Sequence, residues 1–134
     1  MKILVTGGLG FIGHNVVAQL EAQGHDVVIT DTQSTYGIVA PEEIQYLIAE
    51  RRKKIQTDRI YGIDMSDRAG IDWLMHAHRP DRVIHLASFP RQKVVNVNAP
   101  AGSRVMSEGL LNLLEAAVAN SVSRFVYALS LIHI

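Results

Sequence analysis

An α/β fold with a doubly wound parallel sheet is what this sequence predicts, on three observations. The chain opens on an apolar run, Met1-Lys2-Ile3-Leu4-Val5-Thr6, that ends abruptly in Gly7-Gly8-Leu9-Gly10-Phe11-Ile12-Gly13. A second apolar run, His25-Asp26-Val27-Val28-Ile29-Thr30, closes on the acid Asp31. Beyond it, short β-branched runs alternate with stretches of helical periodicity, the pattern that builds a parallel sheet through right-handed crossovers, here in strand order 3-2-1-4-5.

The first run is a buried strand entering a glycine-lined turn in which a helix starts. Gly8, Gly10 and Gly13 satisfy G-x-G-x-x-G, and Gly7, Gly10 and Gly13 satisfy the looser G-x-x-G-x-x-G. Each frame asks for bare backbone, which permits positive φ, close approach to a pyrophosphate and tight packing of helix on strand. The unpaired N–H groups and positive end of the new helix then face the phosphates, so Gly7, Gly10, Phe11, Ile12 and Gly13 make an anion site out of main chain. Ile12, Val16, Val17 and Leu20 recur at helical spacing as the core stripe, and Gly24 suits the position just past the helix end. Asp31 lies eighteen residues beyond Gly13, where a dinucleotide fold needs an acceptor for the adenosine ribose hydroxyls. Asp31 and its neighbour Thr32 are therefore assigned to the cofactor. A carboxylate there repels a 2′-phosphate, and no Arg or Lys occurs between Lys2 and Arg51 to receive one, which favours NAD over NADP.

Size and composition bound the rest. At 134 residues the chain is one domain by the size prior, able to bury about two thirds of its unfolded surface. Thirteen basic and thirteen acidic residues cancel, so charge recommends neither nucleic acid nor an anionic membrane. No cysteine is present, which removes disulfides and thiolate chemistry and fits a reducing compartment. No signal-peptide pattern opens the chain and no apolar run approaches the roughly twenty residues of a membrane helix. A cytoplasmic protein is the expectation.

Downstream of Asp31, Pro41-Glu42-Glu43 reads as a helix start with Pro at its first position, and Ile44, Leu47 and Ile48 as its apolar stripe. Arg51-Arg52-Lys53-Lys54 reads as a solvated helix end rather than a nucleic-acid patch, because cations in a last turn complement the dipole. Residues 59–64 form a third strand, Ser66 or Asp67 caps the next helix, and Ile71, Leu74 and Met75 face the core. Asp64 and Met65 fall where the third strand meets an adenine. Asp64 either binds the base or serves as a turn residue bonded to its own backbone. Residues 81–88 form the fourth strand, whose carboxyl end, Leu86, Ala87 and Ser88, borders the ligand crevice. His85 alternates inward with Val83 as a core histidine rather than a catalytic one, and no histidines have metal-ligand spacing. Arg91 and Lys93 lie in a loop at the same edge, as solvated surface in preference to phosphate ligands. A long helix follows with core face Val105, Met106, Leu110, Leu113, Leu114, Ala117 and Val118, and then a fifth strand over 123–128.

With these elements placed, residues 1 to about 130 resemble the extended short-chain dehydrogenase/reductases, specifically the NAD-dependent epimerase/dehydratase family, whose cofactor domain is a Rossmann fold. Thr6-Gly7-Gly8-Leu9-Gly10-Phe11-Ile12-Gly13 matches its T-G-x-x-G-x-x-G, Val83-Ile84-His85-Leu86-Ala87-Ser88 is similar to its fourth-strand H-L-A-A, and Gly109-Leu110-Leu111-Asn112-Leu113-Leu114-Glu115-Ala116 is similar to its G-T-x-N-L-L-E-A helix. The resemblance implies a nucleotide-sugar substrate, tightly held NAD that takes a hydride from the sugar and returns it, a homodimer formed through helices beside the fourth and fifth strands, and Ser130 as the catalytic Ser/Thr. It also implies a Tyr-x-x-x-Lys base, and none can be drawn here: Tyr36, Tyr46, Tyr61 and Tyr127 are followed four places on by Ala40, Glu50, Met65 and Leu131. Met106 replaces the Asn often found three places before Gly109, and residues 131–134 depart from the family's serine-rich continuation. The expectation is an incomplete cofactor domain over 1–130, lacking the sixth strand and substrate domain, with a tail foreign to it and no turnover of its own. Two other functions stay open: a non-catalytic module that senses NAD or scaffolds a partner, and an NADP-linked reductase of the same fold.

Overall fold

The computed structural model describes residues 1–35, 37, 39–89 and 97–129. Its elements run β1 (Lys2–Thr6), α1 (Gly13–Ala22), β2 (Asp26–Thr30), α2 (Pro41–Arg52), β3 (Ile60–Tyr61), α3 (Arg68–His78), β4 (Arg82–His85), α4 (Ala99–Ser103), α5 (Gly109–Ala119) and β5 (Arg124–Tyr127). A π-helical turn, Arg104–Glu108, joins α4 to α5. The strands form one parallel sheet in the order β3-β2-β1-β4-β5, as alternation of the elements predicts.

Both faces of the sheet are covered. Ile3, Val5, Val27 and Ile29 pack with Leu9, Val17 and Ile48 under α1 and α2. Leu4, Val28 and Val83 pack with Ile71, Leu74, Met75, Leu113, Ala116 and Ala117 under α3 and α5. The ends of the helices follow the local chemistry. Gly24 takes φ +81° after α1, Pro41 opens α2, and the Asp67 carboxylate accepts from the Gly70 amide at 3.0 Å to cap α3.

Four expectations need correction. The third strand is only Ile60–Tyr61, because Tyr61 already pairs with Thr30, the last residue of β2, and nothing remains for Gly62 to pair with. The fourth stops at His85 instead of Ser88: the Leu86 amide makes the last bond to the Thr6 carbonyl, at 3.1 Å, shared with the Thr6 hydroxyl at 3.2 Å, and the Ala87 amide goes to that hydroxyl alone, at 3.1 Å. The long helix is turned by about one residue: Gly109, Asn112, Leu113, Ala116 and Ala117 are buried, Val105 and Leu110 only partly so, and Met106, Leu114 and Val118 are exposed. Gly109 fixes that rotation, for a Cβ on it would stand 2.6 Å from the Met65 Cβ. Asn112 Nδ2 locks it by donating to the Met65 carbonyl at 3.0 Å. In α1 the stripe loses Ile12, which precedes the helix and is exposed.

Candidate functional site

Thr6, Thr30 and His85 end β1, β2 and β4 in one register row, so the residues just past them emerge side by side at the carboxyl edge. The strand order reverses at β1, which is where open α/β sheets leave a crevice. A cleft of about 630 Å³ lies there. Its floor begins with Gly7, whose φ of +69° suits glycine and whose missing Cβ would sit 2.8 Å from the Ala87 amide nitrogen. Gly13 is still more constrained: a Cβ there would lie 2.0 Å from the Gly7 carbonyl oxygen. The first turn of α1 therefore rests directly on the strand exit.

Gly7, Gly10, Phe11, Ile12 and Gly13 line one part of the cleft. The Gly10 amide is bonded to Gly7 O at 3.0 Å and that of His14 to Gly10 O at 3.2 Å. The amides of Phe11, Ile12 and Gly13 have no acceptor among the described residues. Asp31 and Thr32 line the neighbouring part. The Asp31 carboxylate faces the turn: Oδ2 accepts from the Leu9 amide at 2.9 Å and Oδ1 from the Gln33 amide at 2.7 Å. An ionised carboxylate has about four acceptor positions, so two remain for a ligand in the cleft that Asp31 lines. Asp64 and Met65 form a third wall. Ser66 donates both its amide, at 2.8 Å, and its hydroxyl, at 2.6 Å, to Asp64 Oδ1. This is the turn role foreseen for Asp64, and it leaves Oδ2 without a partner among the described residues while the residue lines the cleft. Leu86, Ala87 and Ser88 complete the set opposite. Every residue assigned to the cofactor from sequence thus borders one cavity.

Ser130, the catalytic candidate, lies outside the described residues, as do Arg91, Lys93 and residues 131–134. Residues that the sequence does not mark as cofactor ligands also matter. Thr30, Ser34, Ile63, Val105, Ala128 and Leu129 line the cleft too. Thr6 is buried and its Oγ1 stands 2.6 Å from His85 Nδ1. With two amides already donating to it, that hydroxyl gives its own proton to Nδ1, so His85 is neutral with its ring proton on Nε2. Burial agrees, lowering the His85 pKa to about 4. The histidine is a core residue that braces the β4 exit. The signal for Thr6 and Asn112 was visible, a polar residue inside an otherwise apolar run, without the geometry that gives it a purpose.

No Lys or Arg lines the cleft among the described residues. An anion bound there meets backbone amides and the N-terminal end of α1, while the two carboxylates, Asp31 and Asp64, select hydroxyl or amino donors at the rim. Arg51 corrects the picture of a merely solvated helix end, for its Nη1 donates to the Leu9 carbonyl at 2.9 Å. No group of three metal-ligating side chains occurs among the described residues, and no helix there is long and apolar enough to cross a membrane.

Comparison with known proteins agrees with this geometry. The family model "NAD dependent epimerase/dehydratase family" matches residues 3–132. The dTDP-glucose 4,6-dehydratase of Neisseria meningitidis is 35% identical over 118 residues, 87% of this chain and 31% of that protein. The UDP-glucose 4-epimerase of Erwinia amylovora is 31% identical over 133 residues, 97% of this chain and 37% of that protein. Among solved structures, the UDP-glucose 4-epimerase of Thermus thermophilus in complex with NAD superposes with a TM-score of 0.76 at 29% identity, covering 93% of this chain and 36% of that one. The chain spans about a third of the length of these relatives. A glycine-rich turn with amides free among the described residues, an acid held over it and a family match across residues 3–132 make this chain a member of the NAD-dependent epimerase/dehydratase family.

Proposed function

We propose that this chain is the NAD-binding portion of an enzyme that epimerises or dehydrates a nucleotide sugar. The observation that carries it is the Asp31 carboxylate turned onto the glycine bend, 2.9 Å from the Leu9 amide, in the lining of the cleft. In this reading the amides of Phe11, Ile12 and Gly13 hold the diphosphate, Gly7 and Gly10 admit it, and Asp31 with Thr32 grips the adenosine ribose. Asp64 Oδ2 and Met65 receive the adenine, and Leu86, Ala87 and Ser88 flank the nicotinamide side. NAD, when bound, supplies a hydride acceptor. The cleft suits it, being free of cationic side chains among its described lining and bordered by amides without an acceptor among the described residues.

The nucleotide-sugar substrate is supported by the relatives, a dTDP-glucose dehydratase and UDP-glucose epimerases. Ser130 serves as the catalytic hydroxyl, and no Tyr-x-x-x-Lys occurs in these 134 residues, so the chain by itself binds NAD without turning over. A second copy covers the apolar outer face of α5 in the assembled enzyme.

Calorimetric titration of the folded chain tests the reading. NAD binds, NADP binds at least tenfold more weakly, and Asp31→Asn weakens NAD by about 2 kcal/mol, the scale of a hydrogen bond to a charged group, while narrowing the difference between the two cofactors. Equal affinity for NAD and NADP favours the rival NADP-linked reading. No binding of either, with the fold intact, sinks both.

A further inference from the structure

Three successive carbonyls of the glycine turn are each held by a side chain from outside the turn. Leu9 O accepts from Arg51 Nη1 at 2.9 Å. Gly10 O accepts from His14 Nδ1 at 2.8 Å, and since a carbonyl only accepts, the His14 ring proton sits on Nδ1. Phe11 O accepts from Asn15 Nδ2 at 3.0 Å, while the Asn15 amide goes to Ile12 O at 3.1 Å instead. A trans peptide is planar, so the carbonyl of one residue and the N–H of the next point in opposite directions. Holding Gly10 O aims the Phe11 amide the other way, and holding Phe11 O aims the Ile12 amide. Holding Leu9 O sets the Gly10 amide against Gly7 O at 3.0 Å, which closes the bend.

We infer that Arg51, His14 and Asn15 are positioning residues that pre-form the diphosphate site, fixing the peptide planes of the turn so that its amides converge before the dinucleotide arrives. This rests on reading the cleft as the dinucleotide site. The arrangement is specific to these side chains: Arg51 comes from the last turn of α2, forty-two positions from Leu9, and His14 is buried although it belongs to the first turn of a surface helix. Preorganised donors bind an anion more tightly because less ordering is lost on association. A loosened turn still offers its amides, at lower affinity and only to ligands that carry the diphosphate.

The test compares ADP with adenosine, both read by displacement of NADH fluorescence from the whole 134-residue chain. Arg51 and Asn15 are at least partly exposed, so Arg51→Ala, Asn15→Ala and the pair retain the fold, which melting curves verify. The paired variant binds ADP about tenfold more weakly, from the loss of two hydrogen bonds of ordinary strength. Its adenosine affinity stays within about twofold. Arg51→Lys, which can still donate to Leu9 O, recovers most of the ADP affinity when Asn15 is intact. Undiminished ADP binding in the pair, or an equal fractional loss of ADP and adenosine, overturns the positioning role. Failure of the unsubstituted chain to bind ADP overturns the reading of the cleft itself.

Discussion

On the α1/α2 side of the sheet the core includes Leu9, a residue of the glycine turn, fully buried against Ile29 and its neighbours. On the α3/α5 side the core is made from helix and strand interiors, and Met65 alone among its buried members reaches the cleft. The binding turn is therefore anchored in one hydrophobic cluster and nearly independent of the other. Packing and ligand binding are one problem on the first side and two on the second, so substitutions of similar severity should differ in whether stability and affinity fall together.

Gly13→Ala offers the sharpest test. The added methyl meets the Gly7 carbonyl oxygen at 2.0 Å, and backbone on both sides leaves no flexible side chain to yield. The turn must be rebuilt, at a cost of about 4 kcal/mol or more, and NAD binding should vanish with it. On the opposite side Leu74→Ala removes a fully buried side chain and costs about 3 kcal/mol. NAD affinity per folded molecule should remain within about twofold, by calorimetry on the fraction that melting curves show folded. Loss of both in the Leu74 variant would erase the distinction between the two sides.

His85 stands on the seam, bonded to Thr6 beneath the turn and stacked on Tyr127 with ring centroids 5.2 Å apart. Burial lowers its pKa from 6.5 to about 4, so between those values the unfolded chain binds a proton that the folded chain refuses. The His85 contribution to stability is full above pH 6.5, is lost as the pH drops through that window, and is gone below about 4. The loss is about 3 kcal/mol, at roughly 1.4 kcal/mol per unit. Urea titrations across this range should show the slope in the parent chain and a shallower one in His85→Asn. A slope unchanged by the substitution assigns the acid sensitivity to other groups.

The same division explains what the sequence made legible. On the turn side, spacing carries the information: Gly7, Gly13 and Asp31 are identified by residue type at fixed intervals, because only bare backbone and a short acid satisfy that geometry. On the α5 side the helix has apolar residues on most of its circumference, Leu110, Leu111, Leu113, Leu114 and Val118 among them, so periodicity could not choose its inner face. A tertiary contact chose it, Gly109 against Met65, with Asn112 as the lock. Strand ends were misjudged for a related reason. Composition continues past His85 and Tyr61, and pairing stops where a neighbour ends or a threonine hydroxyl takes over the amides. The side-chain clamps on the turn carbonyls were equally hidden, since Arg51 meets Leu9 only once α2 has packed.

Val118 tests the weakest part of the contrast. It is 82% exposed on α5, next to Leu111 at 60% and Leu114 at 37%, an apolar face that costs little while it meets only water. In a dilute monomer Val118→Lys should shift stability by no more than about 0.5 kcal/mol in either direction, as for surface positions generally. If a second copy covers this face, the parent chain melts higher as its concentration rises, because association stabilises by mass action, and the lysine, forced into an apolar contact, removes that dependence while leaving the dilute value alone. Light scattering over the same concentrations should follow the melts. A parent chain whose melting point ignores concentration leaves α5 facing solvent in this chain, without touching the cleft.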